Sequence, residues 1–225
     1  TNIHGTEVVL AVANKFRKKV LIASTSEVYG KSEAIPFYED DDTVLGSTRF
    51  SRWSYACSKA IDEFLALAYH QQYGLEAVIV RLFNTVGPRQ TGQYGMVIPR
   101  FVQQALRGDP ITVYGDGEQS RSFCHVLDVV EALTKLMACD AALGKVVNIG
   151  NPEEVTMNEL AERVKKLAAS DSVIRRISYE EAYVGGFEDM RRRVPDISRA
   201  NGLIGFAPKN TLEDILRDVV AYYRG

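Results

Sequence analysis

Trp53-Ser54-Tyr55-Ala56-Cys57-Ser58-Lys59 is the stretch whose reading decides the fold. It sets a tyrosine and a lysine four residues apart at the head of a segment in which Ile61, Phe64, Leu65 and Ala68 recur at spacings of three, four and seven. That period predicts an amphipathic helix. Residues four apart lie one turn apart on one helix face, so Tyr55 and Lys59 are expected to point into one pocket. A free phenol ionises near pH ~10, so about one in a thousand is phenolate at pH 7; bringing ionisation to neutrality takes roughly 4 kcal/mol. A nearby ammonium is one source of that stabilisation. The spacing by itself is common and more often that of an ordinary surface helix, so the rest of the chain has to decide between the two.

Upstream, Lys19 to Ala23 is an apolar run of strand length that ends in Ser24-Thr25-Ser26-Glu27, then Val28-Tyr29-Gly30. Hydroxyls and a carboxylate at the C-terminal end of a strand sit where open α/β sheets bind ligands. The same residues also suit a Ser/Thr turn that satisfies its own backbone. Residues 6–16 read as a helix with Thr6 as a cap. Residues 31–53 read as a loop whose acidic run Glu39-Asp40-Asp41-Asp42 is a solvated face. The helix of Tyr55 is expected to run to about Gln72 and to stop at Gly74. Leu75 to Phe83 then reads as a buried strand. Helix, strand, helix, strand in that order predicts parallel βαβ units in an α/β fold.

Downstream the texture changes. Asn84 to Arg89 reads as a turn, and Met96 to Pro99 leads into a helix through Leu106 that Gly108-Asp109-Pro110 breaks. Ile111 to Tyr114 is a short strand before the turn Gly115-Asp116-Gly117. Ser120 to Phe123 precedes a further strand-like piece, and Asp128 is placed to cap a helix through Met137. Val146 to Gly150 is a strand and turn. Thr156-x-x-Glu159 is a capping box for a helix to Ala168. Met190 to Asp196 falls on a loop, and Thr211 to Tyr223 is a closing helix. Residues 1–83 and 84–225 are the expected division, the second part a smaller lobe.

Composition narrows the partners. With 46% apolar and 25% charged residues and a formal charge of −2, the 225 residues are those of a globular protein with no bias towards nucleic acid. No apolar run approaches the ~20 residues that cross a bilayer, so no membrane partner is expected. No signal-peptide pattern stands in the first residues, and Cys57, Cys124 and Cys139, odd in number and widely spaced, fit a reducing, cytoplasmic compartment. His4, His70 and His125 form no metal-like cluster, and His125 is expected to be a packed residue rather than a catalyst.

Six segments in order carry a resemblance: Ser24-Thr25-Ser26-Glu27-Val28-Tyr29-Gly30, Tyr55-x-x-x-Lys59, Arg81-Leu82-Phe83-Asn84-Thr85-Val86-Gly87-Pro88-Arg89, Val113-Tyr114-Gly115-Asp116-Gly117, Gln119-Ser120-Arg121-Ser122-Phe123 and Arg193-Val194-Pro195-Asp196-Ile197-Ser198. Together, over essentially the whole chain, they resemble the extended short-chain dehydrogenase/reductase family in its NAD-dependent nucleotide-sugar epimerase, decarboxylase and dehydratase branch. The resemblance implies the C-terminal part of a Rossmann-like doubly wound parallel sheet, in residues 1–83, plus a smaller α/β substrate-binding lobe. It implies that Thr25 and Tyr55 hydrogen-bond a sugar 4-hydroxyl, that Tyr55 takes its proton while C4 gives hydride to NAD, and that Lys59 assists Tyr55 and binds the nicotinamide ribose. Ser26 and Glu27 complete the implied catalytic set. Asn84 would reach the diphosphate of a UDP-sugar, residues around Val97 and Val113-Tyr114 would cradle the base, and Arg121 and Arg193 would clamp phosphate oxygens, a task suited to the planar guanidinium fork. Arg191 and Arg192 are expected to be solvated. The resemblance also implies a homodimer in which the helix at 6–16 and the helix of Tyr55 pair with their copies in a four-helix bundle.

Two departures from the family pattern matter. No G-x-x-G-x-x-G or G-x-G-x-x-G turn occurs in these residues, although the family holds the NAD pyrophosphate with one. Against the family the chain starts at the helix before the catalytic strand, so the expectation is a fragment that binds NAD weakly on its own. The second departure is Glu27, unusual for simple epimerases. Glu27 with Arg193 is the pattern of UDP-glucuronate decarboxylases, whereas Ala56-Cys57-Ser58 between Tyr55 and Lys59 is not, and Gly95-Met96-Val97-Ile98-Pro99 suits UDP-sugar 4-epimerases. Sugar 4,6-dehydratases carry an Asp where Ser26 stands, which disfavours that branch. The leading expectation is a UDP-glucose or UDP-glucuronate 4-epimerase, with UDP-glucuronate decarboxylase second and a non-catalytic nucleotide-sugar-binding protein third.

Overall fold

The computed structural model describes residues 2–92, 96–182 and 190–225. Gly95 of the segment Gly95–Pro99 lies outside them. In chain order the elements are α1 (Asn2–Lys15), β1 (Val20–Thr25), α2 (Arg52–Tyr73), β2 (Ala77–Leu82), β3 (Thr85–Val86), α3 (Val97–Arg107), β4 (Ile111–Tyr114), β5 (Ser120–Ser122), β6 (Cys124–His125), α4 (Val126–Met137), β7 (Val146–Ile149), β8 (Glu154–Thr156), α5 (Met157–Leu167), β9 (Ile174–Ile177), α6 (Tyr179–Ala182), α7 (Ser198–Ile204) and α8 (Leu212–Arg224). They form two compact units. One comprises residues 1–83, 129–152 and 193–207, and the other comprises residues 84–128, 153–192 and 208–225. The chain passes from one to the other after Phe83, and two later stretches return to the first unit.

In the first unit β1, β2 and β7 make a parallel sheet in that order. The register sets Val20 beside Ala77 and Thr25 beside Leu82, and then Ile79 beside Val146 and Leu82 beside Ile149. β2 is the middle strand, and Ala77, Val78, Ile79 and Val80 are wholly buried, the continuous apolar run that a parallel strand covered on both faces requires. α1 and α2 pack together, and Asn2 Nδ2 donates to Ser58 Oγ at 3.0 Å. α1 begins at Asn2, so Thr6 is inside the helix rather than its cap. α2 ends as expected, with Gly74 in the left-handed region at φ 66° and its N–H on the carbonyls of Tyr69 and His70.

The buried face of α2 differs from the expected stripe. Trp53, Ala56, Asp62, Glu63 and Ala66 are buried, whereas Phe64 is 71% exposed. The helix turns two carboxylates inward because each meets a cation there. Its outer apolar residues join Ile3, Val8, Val9 and Val12 of α1 as exposed hydrophobics.

In the second unit α3 contributes Ile98, Phe101, Val102 and Ala105 to a core shared with α5 and α8. Spaced three, four and seven apart, they line one helix face. Fully burying such side chains is worth about 1.5–3 kcal/mol for each large one. Thr156 and Glu159 form the expected capping box of α5, and Thr211 with Asp214 forms a second at α8. The expected turn at 84–89 contains β3, which pairs in parallel with β6. Asp128 lies in the first turn of α4, but its carboxylate accepts from the main-chain N–H groups of Lys209 and Asn210, at 3.3 and 3.1 Å, and from Asn210 Nδ2. It therefore secures the segment that enters α8.

Candidate active site

β1 ends at Thr25, and Ser26–Tyr29 continue as one turn of 3-10 helix. Thr25 caps that turn: its Oγ1 accepts from Glu27 N–H at 3.3 Å. Gly30 closes it at φ 62°, where a Cβ would run into the Val44 carbonyl, so only glycine fits. Within this turn Glu27 is clamped from two sides. Its Oε1 lies 2.7 Å from Arg193 Nη1 and its Oε2 accepts from Arg52 Nη2 at 3.1 Å. Ser26 is buried, with its Oγ 3.5 Å from the same Arg193 nitrogen. Burial opposes ionisation of Glu27, but the guanidiniums of Arg193 and Arg52 outweigh it and hold the carboxyl below the usual range. Glu27 is thus an anion in a site with one net positive charge from these three groups.

On α2, Tyr55 is 47% exposed. Lys59, one turn on, is mostly covered, and its Nζ sits 2.7 Å from Oδ2 of Asp62, a residue with no exposed surface. The other oxygen, Asp62 Oδ1, is buried and makes no hydrogen bond. The ammonium therefore has a fixed anchor on its own helix. Next to it, Glu63 holds Arg81 through Nη2 at 2.7 Å and Nε at 3.0 Å and accepts from the Ser24 hydroxyl. Arg81 also donates to the Glu39 carbonyl at 2.9 Å and lies over the Tyr29 ring, 4.7 Å from its centroid. Tyr29 stacks on Phe37 and donates to Asn148 Oδ1 at 2.7 Å. Burial pushes the Tyr29 phenol up to about 12. This buried polar network ties β1 to α2 and β2 through Ser24, Glu63 and Arg81.

The sequence-expected residues of the first unit thus fall into two groups. Thr25, Ser26, Glu27 and Arg193 meet through direct contacts, and Tyr55 and Lys59 share α2, which packs on β1 and its following turn. Arg52, Asp62 and Glu63 were missed. Asp62 lies three residues after Lys59, a helical spacing legible in the sequence, whereas Arg52 and Glu63 meet Glu27 and Arg81, partners that no helical spacing points to.

In the second unit Asn84 donates its amide to the Ser122 carbonyl at 2.8 Å, which joins β3 to the β5–β6 segment. Arg121 Nη1 donates to the Ser120 carbonyl at 2.7 Å. Val113 is wholly buried in the core, so its side chain is not available to a ligand; Val97 and Tyr114 are half-buried, and Arg100 covers the Tyr114 ring at 4.1 Å. Arg191 and Arg192 are exposed and paired with Asp116 and Glu154. His125 is buried, with Nε2 3.2 Å from Asp218 and Nδ1 accepting from Leu127 N–H. Among the described residues no cluster of His, Cys, Asp or Glu could hold a metal ion.

A parallel sheet whose middle strand is buried, a hydroxyl–carboxylate turn at the end of β1, and Tyr55 and Lys59 on the following helix define a Rossmann-like α/β nucleotide-cofactor class. The chain belongs to the NAD dependent epimerase/dehydratase family, whose pattern matches residues 1–150. It is 43% identical over 225 residues to a UDP-N-acetyl-alpha-D-glucosaminuronate decarboxylase of Bacillus cytotoxicus, covering 100% of this chain and 69% of that protein. It is 41% identical over 217 residues to UDP-glucuronic acid decarboxylase 6 of Arabidopsis thaliana, covering 95% of this chain and 60% of that one. Among solved structures it resembles UDP-glucuronic acid 4-epimerase from Bacillus cereus in complex with UDP-glucuronic acid and NAD, at 25% identity and a TM-score of 0.87, covering 100% of this chain and 67% of that one.

Proposed function

We propose that the protein decarboxylates a UDP-hexuronate, with NAD as its cofactor. The carrying observation is the Glu27 carboxylate fixed by Arg193 at 2.7 Å beside Ser26, at the end of the strand that bears Thr25. The sequence relatives support this reading over the 4-epimerase that the sequence alone had put first, since both are named decarboxylases. The 4-epimerase stands second, because a uronate-binding structure of that name shares the fold.

The residues present fit the nicotinamide-ribose end of the cofactor. Lys59 offers an ammonium anchored by Asp62, and Tyr55 on the same helix is open to solvent. When bound, NAD supplies the hydride acceptor. The chain's own residues handle the substrate and its proton. Thr25 hydrogen-bonds the 4-hydroxyl. Tyr55 accepts the proton that hydroxyl gives up, and Lys59 stabilises the charge that develops on the phenol oxygen. Once C4 is a carbonyl, a carboxylate on C5 is β to it and leaves as carbon dioxide, its bonding electron pair passing into the C4–C5 enolate. Glu27 is assigned to the carboxyl end of this step, and its 2.7 Å contact with Arg193 moves that arginine to the same end, away from the phosphate role that the family resemblance implied. Asn84 and Arg121 are assigned to the diphosphate, Tyr114 and Val97 to the base, and the Val113 backbone to the same subsite. The exposed apolar residues of α1 and Phe64 of α2 are assigned to pairing with a second copy.

Incubating the full-length protein with NAD and either UDP-glucuronate or UDP-N-acetylglucosaminuronate tests the reading. Carbon dioxide with a UDP-pentose product is expected. A 4-epimer that retains its carboxylate, UDP-galacturonate in the first case, would refute decarboxylation in favour of epimerisation. Sedimentation at micromolar concentration as a monomer would sink the dimer.

A further inference from the structure

Arg52 has no role in the family pattern drawn from the sequence, yet it touches Glu27. It is the first residue of α2 and donates Nη2 to Glu27 Oε2 at 3.1 Å; the side chains are 14% and 20% exposed. Its guanidinium also lies 5.0 Å from the centroid of the buried Trp53 ring. Tyr55 follows three residues later, on the same helix face. The second oxygen of Glu27 is held by Arg193, which comes from a loop in a distant part of the chain.

We infer that Arg52 is a positioning residue: it ties the Glu27 carboxylate to the helix that carries Tyr55 and fixes the separation between the two groups. The role rests on the decarboxylase reading for its catalytic meaning, but the geometry stands independently of it. A carboxylate held by one arginine can swing about that contact. Held by two arginines from different elements, with its main-chain N–H on Thr25 Oγ1, it has one orientation. Both ends of the tether are set before substrate arrives, since Glu27 follows β1 within one 3-10 turn and Arg52 opens α2. The groups that bear on the Glu27 charge are Arg193 and Arg52, and both favour the anion.

Arg52→Gln, Arg52→Lys and Glu27→Gln test this with two readouts. In the protein, carbon-13 NMR follows the Glu27 carboxyl titration, assigned by the signal missing from Glu27→Gln. Arg52→Gln should move it to higher pH, and Arg52→Lys, which keeps the charge, should restore most of the difference. In the full-length protein, Arg52→Gln should lower kcat/KM for carbon dioxide release about 10- to 100-fold, as expected for loss of a hydrogen bond to a charged group. The loss should fall on kcat and the acid limb of the pH profile should move up. Because Arg52 acts through Glu27, Glu27→Gln/Arg52→Gln should be no slower than Glu27→Gln alone. An unmoved Glu27 titration in Arg52→Gln overturns the inference, as does a double variant slower than Glu27→Gln by the full Arg52 factor. If the wild type releases no carbon dioxide but the titration moves as described, the decarboxylase reading falls and the tether stands.

Discussion

Replacing Glu63 by alanine should cost the first unit about 3–5 kcal/mol. Glu63 is 5% exposed and Arg81 is 6% exposed. The pair is bidentate, with Nη2 at 2.7 Å and Nε at 3.0 Å, and the Ser24 hydroxyl also donates to the carboxylate. Without Glu63, Arg81 keeps the Glu39 carbonyl at 2.9 Å and the Tyr29 ring face, neither of which carries a full negative charge. An uncompensated buried guanidinium is therefore the dominant cost. Burial alone would make Arg81 easier to deprotonate, and Glu63 reverses that, so the folded state needs the pair intact. A domain is stable by only about 5–15 kcal/mol, so the loss is a large share of the total.

Trp53 is the single tryptophan, 3% exposed on α2, so its fluorescence reports the unit that contains the pair. Urea titration at pH 7, with an m-value of about 2 kcal/mol/M, should show the midpoint falling by roughly 2 M in Glu63→Ala. Glu63→Gln should fall between the two, because the amide oxygen still accepts a hydrogen bond. Glu63→Leu/Arg81→Met should recover most of the loss, since exchanging both members of a buried pair for apolar groups is often nearly neutral. The reasoning is refuted if Glu63→Ala stays within about 1 kcal/mol of the wild type, or if the double variant is less stable than either single one.

Two further outcomes follow from buried acids. Tyr29 is raised from 10.0 to about 12 in the fold, first by burial, so its contribution is complete below pH ~10 and is lost as pH climbs towards 12, by about 2–3 kcal/mol. Urea midpoints taken from pH 9 to 11.5 should therefore fall more steeply in the wild type than in Tyr29→Phe, and parallel slopes would show that the phenol does not titrate this way. Burial, helped by the Asp128 carboxylate, pushes the Cys124 thiol up to about 12, whereas Cys57 is exposed. Iodoacetamide at pH 8 should label Cys57 in the folded chain and Cys124 only in urea, as read by peptide mass mapping; equal native labelling would contradict the burial.

The sequence carried the elements better than their faces. The period of Ile61, Phe64, Leu65 and Ala68 predicted α2, because any helix of that length must place some apolar residues at helical spacing. It misjudged the buried side, because hydropathy assigns Asp62 and Glu63 to solvent, and they are inside only through Lys59 and Arg81. The cation for Asp62 was three residues away and legible in principle; the one for Glu63 arrives on β2, after a full helix and a turn. Asp128 shows the same limit in another form: a residue suited to capping was read correctly by type, but its donors lie at Lys209 and Asn210. β3 went unseen because two residues are too short to show a period, whereas β6 falls on the strand-like piece expected after Phe123. The site divides along the same line. Thr25, Ser26 and Glu27 were legible as a hydroxyl–carboxylate cluster at a strand end, while Arg193 entered only through the family pattern. Arg52 belonged to neither route, since a lone arginine before an aromatic carries no periodic signal. Its partner became visible only when the turn after β1 and the first residue of α2 were placed side by side. Local physics therefore reaches as far as caps and periods, and the charged contacts that position Glu27 had to come from the fold.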